Sequence, residues 1–547
     1  MAADPKPILD SGMEAFSNNP RLQGHLADLV VRNLASHPLR KVIVDRSRDR
    51  VELSGGMLLA ASLALSEKWK ERMPERRVGV VFPSGLGGVL TNLSLTLLDK
   101  IPVNLNFTMG SDAVESCIER ADVRNVITAQ PVVDKVPDFP WPEATHDLLK
   151  VRSTLDKKRI LWNFLRILAL PSGLVCRQFG IPSKGGDREA GLLFSSGSTG
   201  MPKGIPLSHA NVIANCEQIS ACHLLDRRHT LMAFLPLFHS FGFTVTLWYP
   251  LISGLKTVML PSPLETKRIA EAIEAEKATV MMGTPTFFRP FFKRVAPKQV
   301  ESLEYVVGGA EKTPPGFGEK WEETFGSHYL EGYGLTETAP VVSANLPPIG
   351  DKPARMRAGS VGPLMVGMQA RICDVSSNKP LSLNQSGILE LKGANVFKGY
   401  LDDPNSTEAA FHDGWFSTGD LASIDEDGYI FIKGRLSRFS KLGGEMVPHG
   451  RIEQIIAECF DLEDSDTPMV AVTGIEDEQK GEALVVLATV ELAPAQIRER
   501  LTARKVPNLW IPRLVRRVDA IPCLASGKLD LQGLARLARS ATGDTTK

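Results

Sequence analysis

The sequence has no excess of either charge, and its cysteines follow no pattern that would mark a metal or disulfide site. Its 63 Lys and Arg residues equal its 63 Asp and Glu residues, so no net field favours nucleic acid. The seven cysteines are odd in number and form no C-x-x-C pair, which argues against a zinc site and against a disulfide framework. We therefore expect a protein of a reducing, cytoplasmic compartment that binds no nucleic acid.

Long hydrophobic runs and two enzyme signatures are also missing. No apolar run is long enough to span a bilayer, and the N-terminus MAADPKPILDSG lacks the apolar centre expected of a signal peptide. No G-x-S-x-G surrounds a serine in the stretch from Ser195 to Ser198, which argues against a hydrolase elbow there. None of the ten histidines has Asp five positions later, so the usual glycerolipid acyltransferase pair is absent.

Length and patterning predict more than one domain. The chain of 547 residues exceeds one ordinary hydrophobic core. Strand and helix patterns alternate between residues 78 and 307, which favours an α/β fold of mostly parallel sheets covered by helices. Short β runs after residue 360 indicate a β-rich subdomain at about 360–434. We predict a large N-terminal domain over residues 1–434 and a small α+β C-terminal domain over residues 435–547.

A Ser- and Gly-rich stretch, Ser195–Gly200, follows a short apolar run at Leu192–Phe194 that predicts a strand. Glycines let the backbone turn several N–H groups toward one point, hydroxyls add donors, and Lys203 adds a positive charge. The combination suits a polyphosphate. It is not the Walker loop, because Gly204 rather than Ser or Thr follows the lysine. A flexible linker is the alternative interpretation.

Two further stretches carry side chains suited to a nucleotide. In the run EGYGLTET, Gly332 and Gly334 allow close backbone approach, and Tyr333 offers a flat face for a base. Glu337 is a hard oxygen ligand of the kind that Mg²⁺ prefers. In the run WFSTGD, Asp420 follows a Thr-Gly turn and can accept two hydrogen bonds from a ribose diol. A turn or a helix cap is the alternative role for this Asp.

Residues 157–177 are cationic and amphipathic. Leu161, Phe164, Leu165 and Leu168 share one face of a predicted helix, with Lys157, Lys158, Arg159 and Arg166 around them. Such a helix could lie on a membrane surface, or it could pack on the protein's own core. The periodicity is the same in both cases, so the sequence leaves both open.

Taken in order along the chain, these motifs resemble those of the adenylate-forming superfamily of acyl-CoA synthetases, peptide-synthetase adenylation domains and luciferases. The resemblance covers nearly the whole chain, and it implies ATP and Mg²⁺ as cofactors. It implies that Tyr333 flanks adenine, that Asp420 binds ribose, and that Glu337 holds the metal. The ATP-binding residues implied are Ser195, Ser196, Gly197, Ser198, Thr199, Gly200, Lys203, Gly309, Ala310, Glu311, Gly332, Tyr333, Gly334, Asp420 and Arg435.

The same resemblance implies four catalytic residues and a moving small domain. Thr336 would touch phosphate, and His239 would gate or position the acyl group, although a lone His beside aromatics is more often a core residue. Lys528 would reach the reacting carboxylate and α-phosphate, and Lys441 would serve the thioester step after rotation about a hinge near 436–438. Ser437 stands where the family usually has Asp or Lys, a change that a hinge tolerates.

Several stretches, such as Lys441–Val447, are similar to the acyl-acyl-carrier-protein synthetase part of bacterial bifunctional acyltransferase/synthetases. This resemblance implies that a fatty acid is activated and passed to the thiol of holo acyl carrier protein. Glu445 and Met446 replace residues more typical of relatives that use CoA. The alternatives are a long-chain fatty-acid–CoA ligase and, more remotely, a non-catalytic acyl- or nucleotide-binding protein. Either ligase would work in the cytoplasm or at the inner face of a membrane.

Overall fold

The computed structural model describes residues 8–195, 201–442, 445–462, 465, 467–477, 481–523 and 529–540. The α-helices are Met13–Ser17, Leu26–Ser36, Gly55–Arg72, Leu86–Thr96, Ser111–Arg120, Gln130–Val133, Leu148–Ser153, Lys157–Ala169, Ser172–Gln178, His209–Ala221, Tyr249–Ser253, Thr266–Glu276, Pro285–Phe288, Phe291–Arg294, Phe317–Phe325, Pro404–Ala410, His449–Cys459, Pro494–Ala503 and Leu531–Ser540. A π-helix spans Phe241–Trp248. Short 3₁₀ helices are Pro20–Gln23, Pro297–Val300, Thr336–Thr338, Leu436–Arg438 and Asn508–Trp510.

Two large, mostly parallel sheets form the first part of the chain. In spatial order, the strands of the eight-stranded sheet are Val341–Ala344, His328–Gly334, Tyr305–Gly308, Val280–Gly283, Thr230–Ala233, Lys256–Met259, Lys41–Asp45 and Val51–Ser54. Those of the six-stranded sheet are Ala144–Asp147, Asn125–Thr128, Arg77–Val80, Ile101–Asn104, Glu189–Ser195 and Lys203–Ser208. The antiparallel pairings in the two sheets are confined to edge strands.

Three further sheets follow. The antiparallel sheet of the predicted β-rich subdomain contains Leu9–Asp10, Met368–Cys373, Gly387–Gly393, Trp415–Ile424, Phe411–His412 and Ile430–Arg435. A hairpin pairs Phe439–Leu442 with Glu445–Pro448. The last sheet contains Val470–Asp477, Gly481–Ala488 and Leu514–Arg517.

Layers of helices cover both faces of the two large sheets. The largest hydrophobic core lies between the sheets and contains buried side chains of helices Leu26–Ser36, Gly55–Arg72 and Leu86–Thr96. A second core fills the outer face of the eight-stranded sheet, and another the outer face of the six-stranded sheet. Because both faces are covered, central strands such as Val280–Gly283 are buried at every position, as parallel strands usually are. The predicted α/β class with mostly parallel sheets is confirmed.

The C-terminal part has hydrophobic cores of its own. Both faces of its sheet are covered, by side chains that all lie between residues 442 and 538. The division at residues 434 and 435, and the hinge near 436–438, stay predictions. Among the described helices, none combines the length and the apolar character needed to cross a membrane.

His25, His209 and His449 are buried where a charged ring would be costly. His25 and His209 are 0% and 2% exposed, and their ring centroids lie 3.8 Å apart. Burial lowers the pKa of His25 to about 4, although Asp99 beside it acts in the opposite direction. Burial also lowers the pKa of His209 to about 2 and that of His449 to about 3. These rings therefore stay neutral in the folded protein at mildly acidic pH.

We expect the free energy of unfolding to fall as the pH drops from about 6.5 toward 4. In this window an unfolded histidine binds a proton and these folded rings do not, so each adds a slope of about 1.4 kcal/mol per pH unit. His25→Asn should flatten the slope, because asparagine can still accept the bond from Ala27 N–H at the start of its helix but does not titrate. Thermal unfolding temperatures measured from pH 7 to pH 4.5 check this expectation. An equally steep fall in the variant would contradict it.

Candidate active site

The candidate residues converge where the two large sheets present the carboxyl ends of their parallel strands. In the eight-stranded sheet, the segments that follow Ala233 and Gly308 carry His239 and Glu311, and the segment that follows Gly334 carries Glu337. In the six-stranded sheet, strand Glu189–Ser195 ends at the phosphate-loop sequence. Ligands of open α/β sheets bind at such edges, so the topology alone gathers motifs that are far apart in sequence.

Tyr400 connects the predicted phosphate-binding lysine to the predicted metal ligand. The ammonium nitrogen of Lys203 lies 4.7 Å from the centroid of the Tyr400 ring, a cation–π distance. The Tyr400 hydroxyl donates a hydrogen bond to Glu337 Oε1 at 3.1 Å. Burial and the Glu337 carboxylate raise the pKa of Tyr400, so the phenol keeps its proton. Tyr400 thus contacts Lys203 through its ring face and Glu337 through its hydroxyl.

The backbone around Tyr400 is fixed to both motifs. Leu401 N–H donates to Gly204 O at 2.9 Å, and Phe397 N–H donates to Glu337 O at 2.8 Å. The rings of Phe397 and Tyr400 meet edge to face, with centroids 4.9 Å apart. Two backbone hydrogen bonds beside Tyr400 and one ring contact therefore fix its position.

Asp420 contacts both Tyr333 and Arg435, the residue that follows the predicted domain boundary. It is 4% exposed, and it accepts a hydrogen bond from the Tyr333 hydroxyl through Oδ2. Its Oδ1 lies 2.9 Å from Arg435 Nε, because the two residues are register partners on neighbouring strands. Burial and the Asp420 charge raise the pKa of Tyr333 well above its usual range, so Tyr333 is a donor. A carboxylate oxygen can accept more than one hydrogen bond, which is the property that a partner of a ribose diol needs.

The local structure at Asp420 differs from the sequence prediction. Asp420 does not follow a turn: it lies inside the strand Trp415–Ile424. Gly419 before it has φ of +71°, a left-handed conformation that glycine adopts without strain. The strand is paired on both sides of this kink, so the turn or cap interpretation was wrong.

Thr336 and His239 follow two strands of the eight-stranded sheet that have two other strands between them, and Ser240 connects the two segments. Thr336 Oγ1 lies 3.3 Å from Ser240 Oγ, in the residue that follows His239. The His239 N–H donates to Pro236 O at 3.1 Å, and His239 O accepts from Phe243 N–H at 2.7 Å. Directly after Ser240 begins the π-helix Phe241–Trp248, and π-helical turns occur frequently at functional sites.

Glycines in the adenine motif allow backbones to approach closely. A Cβ on Gly334 would lie 2.2 Å from Pro340 O, which no side chain tolerates. A Cβ on Gly309 would lie 3.4 Å from Gly332 O. The segment that carries Gly309 and the run EGYGLTET, both predicted to bind ATP, are therefore neighbours. Glu311 turns aside from them, and its Oε2 accepts from the Thr286 hydroxyl at 2.6 Å.

Glu337 fits the predicted Mg²⁺ site better than the group formed by His25, Asp99 and His209 does. Mg²⁺ is usually held by one or two carboxylates together with substrate phosphates, and Glu337 keeps Oε2 clear of hydrogen bonds from described residues. His25, Asp99 and His209 also offer ligand atoms within 4.8 Å of one another. Both rings accept a backbone N–H through Nδ1, so each neutral ring holds its proton on Nε2. That cluster is structural.

Some predicted residues fall outside this description. Ser196, Gly197, Ser198, Thr199 and Gly200, together with Lys528, lie outside the described residues. Lys441 lies on the hairpin strand Phe439–Leu442 as a register partner of Met446, and its side chain is not among those described. Their assigned roles stay predictions.

Sequence reasoning missed Tyr400 and Ser240. Tyr400 follows a glycine within a predicted β run, as Tyr333 does, and this Gly-Tyr pair was the available signal. Ser240 had none, because its contact with Thr336 joins residues 96 positions apart.

The sequence matches a known family and several curated relatives. A family model described as "AMP-binding enzyme" matches residues 32–401. A long-chain-fatty-acid–CoA ligase from Bacillus subtilis (strain 168) is 30% identical over 352 residues, which cover 62% of this chain and 60% of that protein. A luciferin 4-monooxygenase from Photuris pensylvanica is 29% identical over 362 residues, 64% of each chain. The chain therefore spans less than two thirds of the length of these relatives.

Solved structures match over more of the chain. An ATP-bound chimera of RpMatB and BxBclM has a TM-score of 0.75 at 25% identity, covering 94% of this chain and 99% of that one. The o-succinylbenzoate coenzyme A synthetase MenE from Bacillus subtilis, in complex with AMP, has a TM-score of 0.76 at 20% identity, with 93% and 98% covered. At that identity the second likeness bears on the fold alone.

Proposed function

Because the chain belongs to the AMP-binding enzyme family, we propose that it is an AMP-forming acid–thiol ligase that activates a fatty acid. The observation that carries this proposal is the arrangement of Lys203, Tyr400 and Glu337. It places a cation suited to phosphate and a carboxylate suited to Mg²⁺ in contact with the same tyrosine. Asp420, suited to ribose, lies beside Tyr333 at the adenine motif.

In the proposed reaction, a carboxylate oxygen of the fatty acid attacks the α-phosphorus of ATP. The bond to the bridging oxygen breaks, and pyrophosphate leaves with its electron pair while acyl-adenylate forms. The attacking group belongs to the substrate, so the protein supplies position and charge rather than a nucleophile. Lys203 would hold phosphate, Tyr333 would flank adenine, and Asp420 would accept the ribose hydroxyls.

Glu337 would hold the Mg²⁺ that accompanies ATP, and the metal would neutralise phosphate charge. The Tyr400 hydroxyl binds Glu337 at Oε1, and Oε2 would then be the atom that holds the metal. His239 and Ser240 follow strand Thr230–Ala233 of the same sheet, and they would position the acyl carboxylate beside Thr336.

The second step transfers the acyl group to a thiol, and we assign it to a rotated small domain. The thiolate sulfur attacks the acyl carbon, a thioester forms, and AMP leaves. The 3₁₀ turn Leu436–Arg438 is the proposed pivot. Arg438 ties this turn to the small domain, since its guanidinium lies 2.6 Å from Glu453 and donates to Val472 O. Rotation would withdraw Lys528 and bring in the face that carries Lys441.

The acceptor thiol is proposed to be that of holo acyl carrier protein, with CoA as the alternative. Glu445 and Met446 support the carrier protein, and relatives named long-chain-fatty-acid–CoA ligase support CoA. Since long-chain fatty acids partition into membranes, the reaction would bring the enzyme into peripheral contact with the inner face of a membrane.

The experiment measures pyrophosphate release from ATP, Mg²⁺ and fatty acid, first without a thiol and then with each acceptor. Release with fatty acid alone, followed by acyl transfer to holo carrier protein in preference to CoA, is the expected result. Efficient transfer to CoA alone would assign the chain to the other ligase class. Nucleotide binding without pyrophosphate release would identify a non-catalytic binding protein.

Glu337→Gln tests the metal assignment. Glutamine keeps the size and can still accept from Tyr400, but it loses the charge that a hard divalent cation prefers. We expect the Mg²⁺ concentration for half-maximal adenylation to rise by about tenfold, with the affinity for the carrier protein unchanged. Glu408→Gln, an exposed carboxylate on the neighbouring helix Pro404–Ala410, is the matched control. A Mg²⁺ titration of Glu337→Gln that overlays the wild type would remove Glu337 from the metal site.

A further inference from the structure

The helix Lys157–Ala169 carries an apolar stripe that faces away from the core. Leu161, Leu165 and Leu168 lie at positions i, i+4 and i+7 and are 54%, 44% and 45% exposed. Trp162 beside them is 57% exposed. We call these four residues the exposed stripe. Isolated exposed apolar side chains are common, but a continuous set on one helix marks an interaction surface.

The same helix packs on the core through a different face. Asn163 and Ile167 are fully buried, and Ile160 and Phe164 pack against the large core between the sheets. Phe164 lies so close to the helix Gly55–Arg72 that a Cβ on Gly56 would come within 2.9 Å of its ring. Core packing, one of the two alternatives left open by the sequence, therefore applies to one face of the helix and leaves the other face exposed. Phe164 belongs to the buried one, and the stripe is not needed for packing.

The charges around the stripe are almost all positive. Residues 150–177 contain seven Lys and Arg residues and one acidic residue, Asp156, which caps the helix by accepting from Lys158 N–H at 2.8 Å. Lys157, Lys158 and Arg159 occupy the first helical turn and are exposed. Cations at that end oppose the helix macrodipole, so they do not serve helix stability. Arg159 pairs with Glu67 at 2.7 Å, whereas no ion pair joins Lys157 or Lys158 to another described residue, so these two lysines are available to an external anion.

We propose that the exposed stripe and the basic residues around it form a docking surface for an anionic phospholipid bilayer. Leucines and a tryptophan on one side, with lysines and arginines at the margin, are the composition of helices that lie in the bilayer interface. A second copy of this chain fits less well, because apposed stripes would bring like charges together. The inference does not depend on the proposed ligase activity.

The experiment measures binding of the whole protein to vesicles of phosphatidylcholine, with and without phosphatidylglycerol, by co-sedimentation. We expect binding to the anionic vesicles, and weaker binding at higher salt. Lys157→Gln with Lys158→Gln should weaken it by about fivefold for each cation removed. Leu161→Ser, Trp162→Ser and Leu165→Ser together should weaken it by at least about tenfold.

The matched control combines Leu264→Ser, Val375→Ser and Leu514→Ser, three apolar residues that are also exposed but lie elsewhere. The control should bind vesicles like the wild type, and all variants should keep the wild-type unfolding temperature. Stripe variants that bind like the control would overturn the proposal. So would a concentration-dependent dimer that dissociates in the stripe variant while its vesicle binding is intact. Pyrophosphate release measured without vesicles reports on the ligase separately.

Discussion

Replacing Asp420 with alanine is expected to lower kcat/KM for ATP by about a hundredfold, mainly through KM. Asp420 is 4% exposed and joins Tyr333 to Arg435. The alanine variant loses the proposed hydrogen bonds to ribose, and a hydrogen bond to a charged group contributes about 1.5–3 kcal/mol. Ribose contributes to binding before and during the reaction, so the loss should fall on KM.

Two variants make this test specific. Asp427→Ala removes an exposed carboxylate of the same sheet that pairs with Arg357, and we expect wild-type kinetics from it. Asp420→Asn keeps the shape and one acceptor, so its KM for ATP should lie between wild type and alanine. If Asp420→Ala folds normally and matches Asp427→Ala in KM for ATP, Asp420 does not bind the nucleotide.

Lys528→Ala should reduce adenylate formation by about a hundredfold or more, while thioester formation from supplied acyl-adenylate continues. Negative charge develops on the α-phosphate during attack, and one well-placed donor to such charge is worth about 10²–10³ in rate. Lysine and the transition state meet only in the first step of the proposed cycle. The loss should therefore appear in kcat of pyrophosphate release.

Lys441→Ala provides the converse measurement. We expect near-normal pyrophosphate release from it and slow transfer to the thiol. Lys505→Ala, an exposed lysine of the same small domain, should leave both steps unchanged. Single-turnover assays that show adenylation equally impaired in the Lys528 and Lys441 variants would reject the two-face cycle.

The sequence predicted the layers of the fold because their strands are covered on both sides. Strands such as Val280–Gly283 must be apolar throughout, and that pattern is visible without a structure. The order of the glycine-rich motifs also predicted which residues would meet, since parallel strands present their carboxyl ends at one edge. Tyr333 and Asp420 are 87 positions apart and do meet.

The contacts between motifs could not be predicted. Tyr400 contacts both Lys203 and Glu337. No local periodicity encodes a contact such as that of Tyr400 with Glu337, which lie 63 positions apart. The composition Thr-Gly-Asp predicts a turn, whereas Gly419 forms a kink inside a strand. The pairing of Trp415–Ile424 with strands on both sides overrides that local preference. Likewise, one helical period could not show that the helix Lys157–Ala169 has both a packed face and an exposed apolar face.

If the proposed function is correct, the Tyr400 ring has a consequence for how quickly the protein receives Mg-ATP. A lysine and a glutamate that formed an ion pair in the empty site would have to separate before the nucleotide could bind. In the structure, the Lys203 ammonium lies against the face of the Tyr400 ring, and the Glu337 carboxylate accepts a hydrogen bond from the Tyr400 hydroxyl. Among the described contacts, Lys203 and Glu337 form no ion pair with each other. We expect the association rate for Mg-ATP to be limited by diffusion and orientation rather than by the breaking of an ion pair within the site.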